Sequence, residues 1–298
     1  MIGTPLMIAA SNPVGHVTDK PIYGSWVISN VTVMLILSGI VTMLLVIPAA
    51  KRIVTGKTGT LEDLRTRGTL ANLVEAICLY LRDEVFRPIL HDQTDRYISV
   101  LWTFFFFILV NNLLGLIPFL DITAVMGVNP VDGQPVGIGG TATQSIWVTG
   151  TLAAIAFLWF NGTAILKDPI GFIKHLTAGA PVYMWPIMIP VEIIGTFVKP
   201  VALALRLFAN MTGGHIIVAT LLSFVVALST GLGGIAGHGL AILPLAGTVA
   251  IYFLEVLVAF IQAYIFTFLT GLFLSQLVVH AHDDHEEHAE SGAGVTAH

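Results

Sequence analysis

Charge is what this sequence most lacks. Of its 298 residues only 10% are Asp, Glu, Lys or Arg, where a soluble chain carries about 25%. Too little polar surface is left to cover a water-soluble globule. With 55% hydrophobic residues and a mean hydropathy of +0.87, lipid must be the main solvent. Cysteine is nearly absent: Cys78 stands alone, which excludes an internal disulfide framework. Strong positive charge is missing too, and a net charge of −5 argues against a nucleic-acid partner. No G-x-x-x-x-G-K-[ST] phosphate loop occurs, so nucleotide chemistry is not expected here, and neither a cofactor nor a structural metal. Residues 1–21 have no basic n-region and only a short apolar stretch, so a cleaved signal peptide is not expected.

What the chain has in abundance is long apolar runs, and about 20 helical residues cross a bilayer. The runs predict span 1 at 26–47, span 2 at 97–119 with its block Phe104-Phe105-Phe106-Phe107, and span 3 at 143–160. Two far longer stretches follow, 183–228 and 235–279, with Pro186, Pro190 and Pro200 in the former, where proline would bend a helix. Between spans 1 and 2 lies a polar loop, 51–96. Within it Leu70, Leu73, Val74, Ile77, Leu81 and Val85 recur at helical spacing, the pattern of an amphipathic helix on the membrane surface. The expected fold is an all-α integral membrane protein. It has about five membrane-crossing helices and an amphipathic surface helix, and the last two crossings form a long tilted hairpin. Residues 1–25 form an external N-terminal segment, 26–279 the membrane domain, and 280–298 a His- and acid-rich flexible tail.

Basic residues set the orientation. Eight of the 13 lie in the 51–96 loop, and Lys167 and Lys174 follow span 3. The segment 120–142 has none. The positive-inside rule therefore puts the two basic loops in the cytoplasm or matrix and the N-terminus outside. Five crossings, with each long stretch counted as one, place the C-terminus inside.

Few ionisable residues fall within the apolar runs: Glu192, Lys199, Arg206, His215 and Glu255, with His238 near an expected membrane edge. Each costs about 2.5–3.5 kcal/mol at the bilayer centre, and such residues face a protein interior or an aqueous path. Glu192, Lys199 and Arg206 are spaced by seven, each about 20° from the last around a helix. Asn210 lies one turn beyond Arg206, and Glu255 and Gln262 are also seven apart. If the two long stretches form an antiparallel hairpin, residues at equal depth share an index sum. Arg206 with Gln262 gives 468 and His215 with Glu255 gives 470. Both imply a turn near 234–235, within a glycine-rich segment. Arg206 and His215, nine apart, fall on opposite faces of an ideal helix. Either Gly213-Gly214 distorts it, or His215 looks into a different crevice. Imidazole titrates near neutral pH, so an acid at its depth makes a proton relay. Lys199 can snorkel or pair with Glu192. Arginine keeps its proton, so Arg206 is a fixed cation. Asn111 and Asn112 read as helix–helix glue.

At Pro200-Val-Ala-Leu-Ala-Leu-Arg206-Leu-Phe-Ala-Asn210-Met-Thr-Gly-Gly-His215 the chain resembles subunit a of F-type rotary ATP synthases. Gly171-Phe-Ile-Lys-His-Leu-Thr-Ala-Gly-Ala-Pro181, Ile189-Pro-Val-Glu-Ile193, Phe260-Ile-Gln262-Ala-Tyr-Ile-Phe266 and Asn112-Leu-Leu-Gly-Leu-Ile-Pro118 are similar to the same family. The resemblance covers about 97–278. It implies a proton-translocating stator channel subunit that does no covalent chemistry itself. Two offset aqueous half-channels would reach the carboxylates of a rotor ring, against which the hairpin packs, coupling proton flow to rotation and ATP synthesis. The implied partners are the rotor ring of c subunits, peripheral stalk b subunits, the remaining synthase subunits, protons and the lipid bilayer. Arg206 would separate the half-channels, with Asn210 nearby. His215, Glu255 and Gln262 would belong to the outer one and Glu192 to the inner. Some bacterial members carry Glu where this chain has His215 and His where it has Glu255; the exchange is similar to mitochondrial members. Some have an acid at the position of Gly115. The implied location is the bacterial cytoplasmic membrane, with the mitochondrial inner membrane as alternative.

Two other classes compete. A secondary transporter would use the arginine to hold an anionic substrate, but it predicts inverted repeats, and the first half holds no second arginine motif. A non-conducting scaffold leaves the shared depths to chance. The tail His280-Ala-His-Asp-Asp-His-Glu-Glu-His288 suits adventitious metal binding.

Overall fold

The computed structural model describes residues 21–22, 25–52, 68–117, 142–167, 182–231 and 234–278. The His-rich tail, Gly115-adjacent loop residues 118–141 and the motif at 171–181 lie outside them. A short antiparallel pair, β1 (Pro21–Ile22) and β2 (Ser25–Ser29), precedes the first helix. The described residues after it are mainly helical: α1 Asn30–Arg52, α2 Thr69–Tyr80, α3 Arg87–Leu90, α4 Thr94–Leu116, α5 Ile146–Lys167, α6 Trp185–Gly231 and α7 Gly234–Val278. The chain is an all-α integral membrane protein apart from that pair, with five helical runs long and apolar enough to cross a membrane.

Proline and glycine set the ends. Helix α4 stops at Leu116, two residues before Pro118, because the residue preceding proline is pushed out of the helical region. Pro186 falls in the first turn of α6, where its missing N–H costs nothing. Helix α6 continues through Pro190 and Pro200, and α7 through Pro244. The glycine-rich segment ends α6 at Gly231. Hydroxyls inside the helices donate back along their own turns: Thr42 to Ser38 O at 2.7 Å, Thr196 to Glu192 O at 2.8 Å, Thr220 to Ile216 O at 2.7 Å and Thr248 to Pro244 O at 2.9 Å. In lipid no water would satisfy them.

The described residues cluster into two compact units, to both of which α6 and α7 contribute. In the unit drawn from Val46–Phe105, Gly150–Ala204 and Tyr264–His298 the core is aromatic. Trp159 meets Tyr97 and Phe104 edge-on at 6.1 and 6.2 Å, Phe104 meets Phe266 at 6.0 Å, and Phe157 meets Phe197 at 5.2 Å. Phe86 lies on Gly271, where a Cβ would stand 2.9 Å from its Cδ1. The same unit folds α2–α3 back along α4. A π-helical turn, Leu81–Phe86, joins α2 to α3, and His91 at φ 47° turns the chain. Trp102 Nε1 then donates to Cys78 O at 3.2 Å, and Arg82 pairs with Asp95 at 2.7 Å. The expected apolar stripe of the 69–90 segment splits. Val74, Leu81 and Val85 are buried, while Leu70 and Leu73 are exposed and Ala71 takes their place inside. The buried set, Ala71, Val74, Leu81 and Val85, still recurs at helical spacing, and at the start of α2 it falls one residue round from the expected stripe.

The unit drawn from Met1–Leu45, Phe106–Thr149 and Leu205–Ala263 buries a set of polar side chains among apolar ones such as Ile108, Leu109, Leu207 and Met211. Ser38, Asn111, Asn112, Thr143, Thr149, Thr248, Glu255 and Gln262 are all buried in it. Large apolar side chains such as Leu44, Leu243, Leu257 and Phe253 are exposed. Buried polar side chains beneath an exposed apolar surface position the site.

Candidate functional site

Two polar residues of α7, Glu255 and Gln262, are buried, and two of α6, exposed Asn210 and half-buried His215, belong to the same unit. Asn210, on α6, donates from Nδ2 to Gln262 Oε1 on α7 at 2.6 Å. Gln262 is 1% exposed. Two turns earlier on α7, the Glu255 carboxyl lies against the backbone of Gly214 on α6. A Cβ built there would overlap Oε1 and stand 2.8 Å from Cδ. Glycine is required at 214 for this reason: the carboxyl occupies the place of the missing side chain. His215, half-buried, is the next residue on α6.

The expected hairpin register is visible in these contacts. Gly214 with Glu255, and Leu221 with Gly247 at 3.7 Å, have index sums of 469 and 468. Gln262, however, meets Asn210 rather than Arg206. Equal index sum fixes depth to about a turn and leaves the face open. Arg206 falls on the exposed side of α6, between exposed Val201, Leu205 and Ala209, and makes no hydrogen bond or ion pair among the described residues. Helix α6 is unbroken through Gly213-Gly214, so no local distortion brings His215 round to the Arg206 face. Glu192 lies half-buried in the other unit's part of α6. Lys199 there donates to Gln276 at 3.5 Å and sits 5.0 Å from the centre of the Phe273 ring.

Two residues hold α7 that sequence reasoning did not place in the site. Asn112 is wholly buried, donates to Ala259 O at 3.5 Å and accepts from Thr143 Oγ1 at 3.1 Å. Ala259 is one turn from both Glu255 and Gln262, so Asn112 positions the polar segment of α7. Asn111 instead bonds within its own helix, to Phe107 O at 3.0 Å. Gly214 is the other, and its only signal in the sequence was the glycine pair beside His215.

Several buried polar atoms here make no hydrogen bond among the described residues: both Glu255 carboxylate oxygens, Gln262 Nε2 and the Thr212 hydroxyl. Buried polar groups are nearly always paired, and an unpaired one costs about 1–3 kcal/mol. A row of them along one hairpin suits groups that exchange protons or meet water. No cluster of His, Cys, Asp and Glu able to hold a metal ion occurs among the described residues.

Comparison with known proteins bears on what such a hairpin belongs to. The chain is similar to proteins named ATP synthase subunit a. It is 41% identical to that of Chloroherpeton thalassium over 225 residues (75% of this chain, 59% of the relative) and 38% identical to that of Myxococcus xanthus over 232 residues (76% and 68%). With that of Anaeromyxobacter sp. it shares 35% identity over 286 residues (92% and 61%). The chain thus spans about three fifths to two thirds of the length of the curated relatives it matches. The sequence model of the ATP synthase A chain family matches residues 7–275, which takes in α6 and all but the last turn of α7, and the chain belongs to that family.

Proposed function

We propose that this chain is the proton-conducting stator subunit of a rotary ATP synthase, seated in a bacterial cytoplasmic membrane with the mitochondrial inner membrane as alternative. Its partners are a rotor ring of c subunits, peripheral stalk b subunits and the remaining synthase subunits. The observation that carries this reading is the Glu255 carboxyl. It is 8% exposed, held on the bare backbone of Gly214 beside His215, and unpaired by hydrogen bond among the described residues. A carboxyl and an imidazole at nearly the same depth in two packed membrane-spanning helices can pass a proton along a wetted path.

In this mechanism His215, Glu255 and Gln262 line the outer half-channel, and Asn210 fixes Gln262. Glu192 serves the inner half-channel. Arg206 stands on the exposed face of α6 toward the rotor. A rotor carboxylate turned to lipid is protonated, because burying it charged is costly. Opposite Arg206 its charged form is favoured and the proton leaves to the exit side. Arginine does not give up its own proton, so it cannot hand the proton across, and each proton must travel with the ring. The membrane potential supplies about 2.3 kcal/mol per charge per 100 mV. The chain performs no covalent chemistry and needs no cofactor.

ATP-driven acidification of inverted vesicles containing the assembled complex tests this. Arg206→Ala is expected to abolish pumping, with assembly intact and passive proton leak retained or raised. Undiminished pumping would remove Arg206 from the barrier and return the transporter and scaffold readings.

A further inference from the structure

A second polar site lies away from the hairpin pair, where the first turn of α4 meets the last turn of α5. A cavity of about 330 Å³ is lined there by Arg96, Tyr97, Val100, Trp159, Thr163, Leu166 and Lys167. We propose that it binds the phosphate headgroup of an anionic phospholipid on the basic side of the membrane. The inference is independent of the proton-channel reading and needs only that the helices span a bilayer.

Three observations converge on it. Among the described residues the cavity carries two cations and no acid, so like charges share one wall until an anion sits between them. Two of its donors are buried without a hydrogen-bond partner among the described residues: the Lys167 ammonium and the Tyr97 hydroxyl, on a residue only 4% exposed. A phosphate can accept from both, and the exposed Arg96 guanidinium offers a planar donor fork suited to phosphate. Arg96 already lies 5.7 Å from the centre of the Tyr97 ring, which restrains it over the cavity mouth.

The remaining wall decides between a lipid and a soluble phosphate. Trp159, Val100 and Leu166 are apolar, and Leu166 is 89% exposed beside the opening. A soluble anion gains nothing from that surface, whereas an amphiphile uses both halves. Aromatic residues and cations at a helix end mark the headgroup level, and basic pockets between spans on the inner face recognise anionic headgroups.

The test reconstitutes the full chain in phosphatidylcholine nanodiscs and titrates brominated phosphatidylglycerol, which quenches nearby tryptophan. A saturable quenching component is expected with brominated phosphatidylglycerol, absent with brominated phosphatidylcholine and lost in Trp159→Phe. Lys167→Gln and Arg96→Gln should each raise the lipid fraction for half-quenching about tenfold, the effect of one charge-assisted hydrogen bond. Arg96→Lys should recover part of it. Arg87→Gln, which removes an exposed cation paired with Asp83, should leave it unchanged. Equal quenching by both lipids, or no shift in either glutamine variant, would overturn the proposal. Displacement of the lipid by millimolar inorganic phosphate would overturn the lipid and point to a soluble anion.

Discussion

At the residue scale the most informative position is one with no side chain. Glu255 and His215 are ionisable and stand out in an apolar sequence, yet Gly214 decides where the Glu255 carboxyl can lie. Gly214→Ala places a methyl group where that carboxyl now rests. Overpacking of this kind costs about 1–3 kcal/mol, and relief comes only by moving the acid away from α6. If the acid relays protons, pumping by the assembled complex should fall about tenfold or more, measured as the initial rate of vesicle acidification. Adding Glu255→Asp shortens the acid by one methylene and should restore part of the rate. A Gly214→Ala variant that pumps normally would show that the carboxyl does not need its present seat. The acid and the imidazole were legible in the sequence because charge in lipid is costly and therefore rare. The glycine was not, since its role depends on what approaches it from another helix.

At the element scale, two polar pairs and a glycine-rich turn were enough to read the antiparallel register of α6 and α7. Index sums from the sequence agree with the Gly214–Glu255 and Leu221–Gly247 contacts. Which side of each helix faces inward was harder to read. Asn210, not Arg206, meets Gln262, because a seven-residue spacing defines a stripe without saying which stripe the partner covers. The 69–90 segment shows the same limit: its buried face runs through Ala71, Val74, Leu81 and Val85 and leaves Leu70 and Leu73 outside. The Asn210–Gln262 bond makes a direct prediction about the hairpin. Asn210→Ala leaves Gln262 Oε1 buried without its donor, and Gln262→Leu alone removes the acceptor. The double variant should be less destabilised than the two singles combined, by about 1 kcal/mol, the size usual for polar pairs between membrane helices. Thermal unfolding of the detergent-solubilised chain, followed by loss of helicity, measures the coupling. Strict additivity would mean the bond contributes nothing to the hairpin.

At the scale of the whole molecule, topology turns on how often α6 and α7 cross the membrane. Each is an unbroken helix of 47 or 45 residues, about 70 Å long against a hydrocarbon core of about 30 Å. Such a helix must tilt steeply or extend into the interface, but without a break it cannot cross twice. By the positive-inside rule the 51–96 loop and the segment after Lys167 are expected inside. The junction between Gly231 and Gly234 should then face outside and the C-terminus inside. Because Cys78 is the only cysteine, a Cys78→Ser background makes this measurable. Leu232→Cys should react with a membrane-impermeant maleimide in right-side-out vesicles and not in inverted ones. Gly56→Cys, in the basic loop, should show the reverse. Labelling of both from the inside would require α6 to cross twice, which its continuity opposes. Labelling of both patterns in reverse would invert the whole chain and place its basic loops outside, against the charge distribution that oriented it.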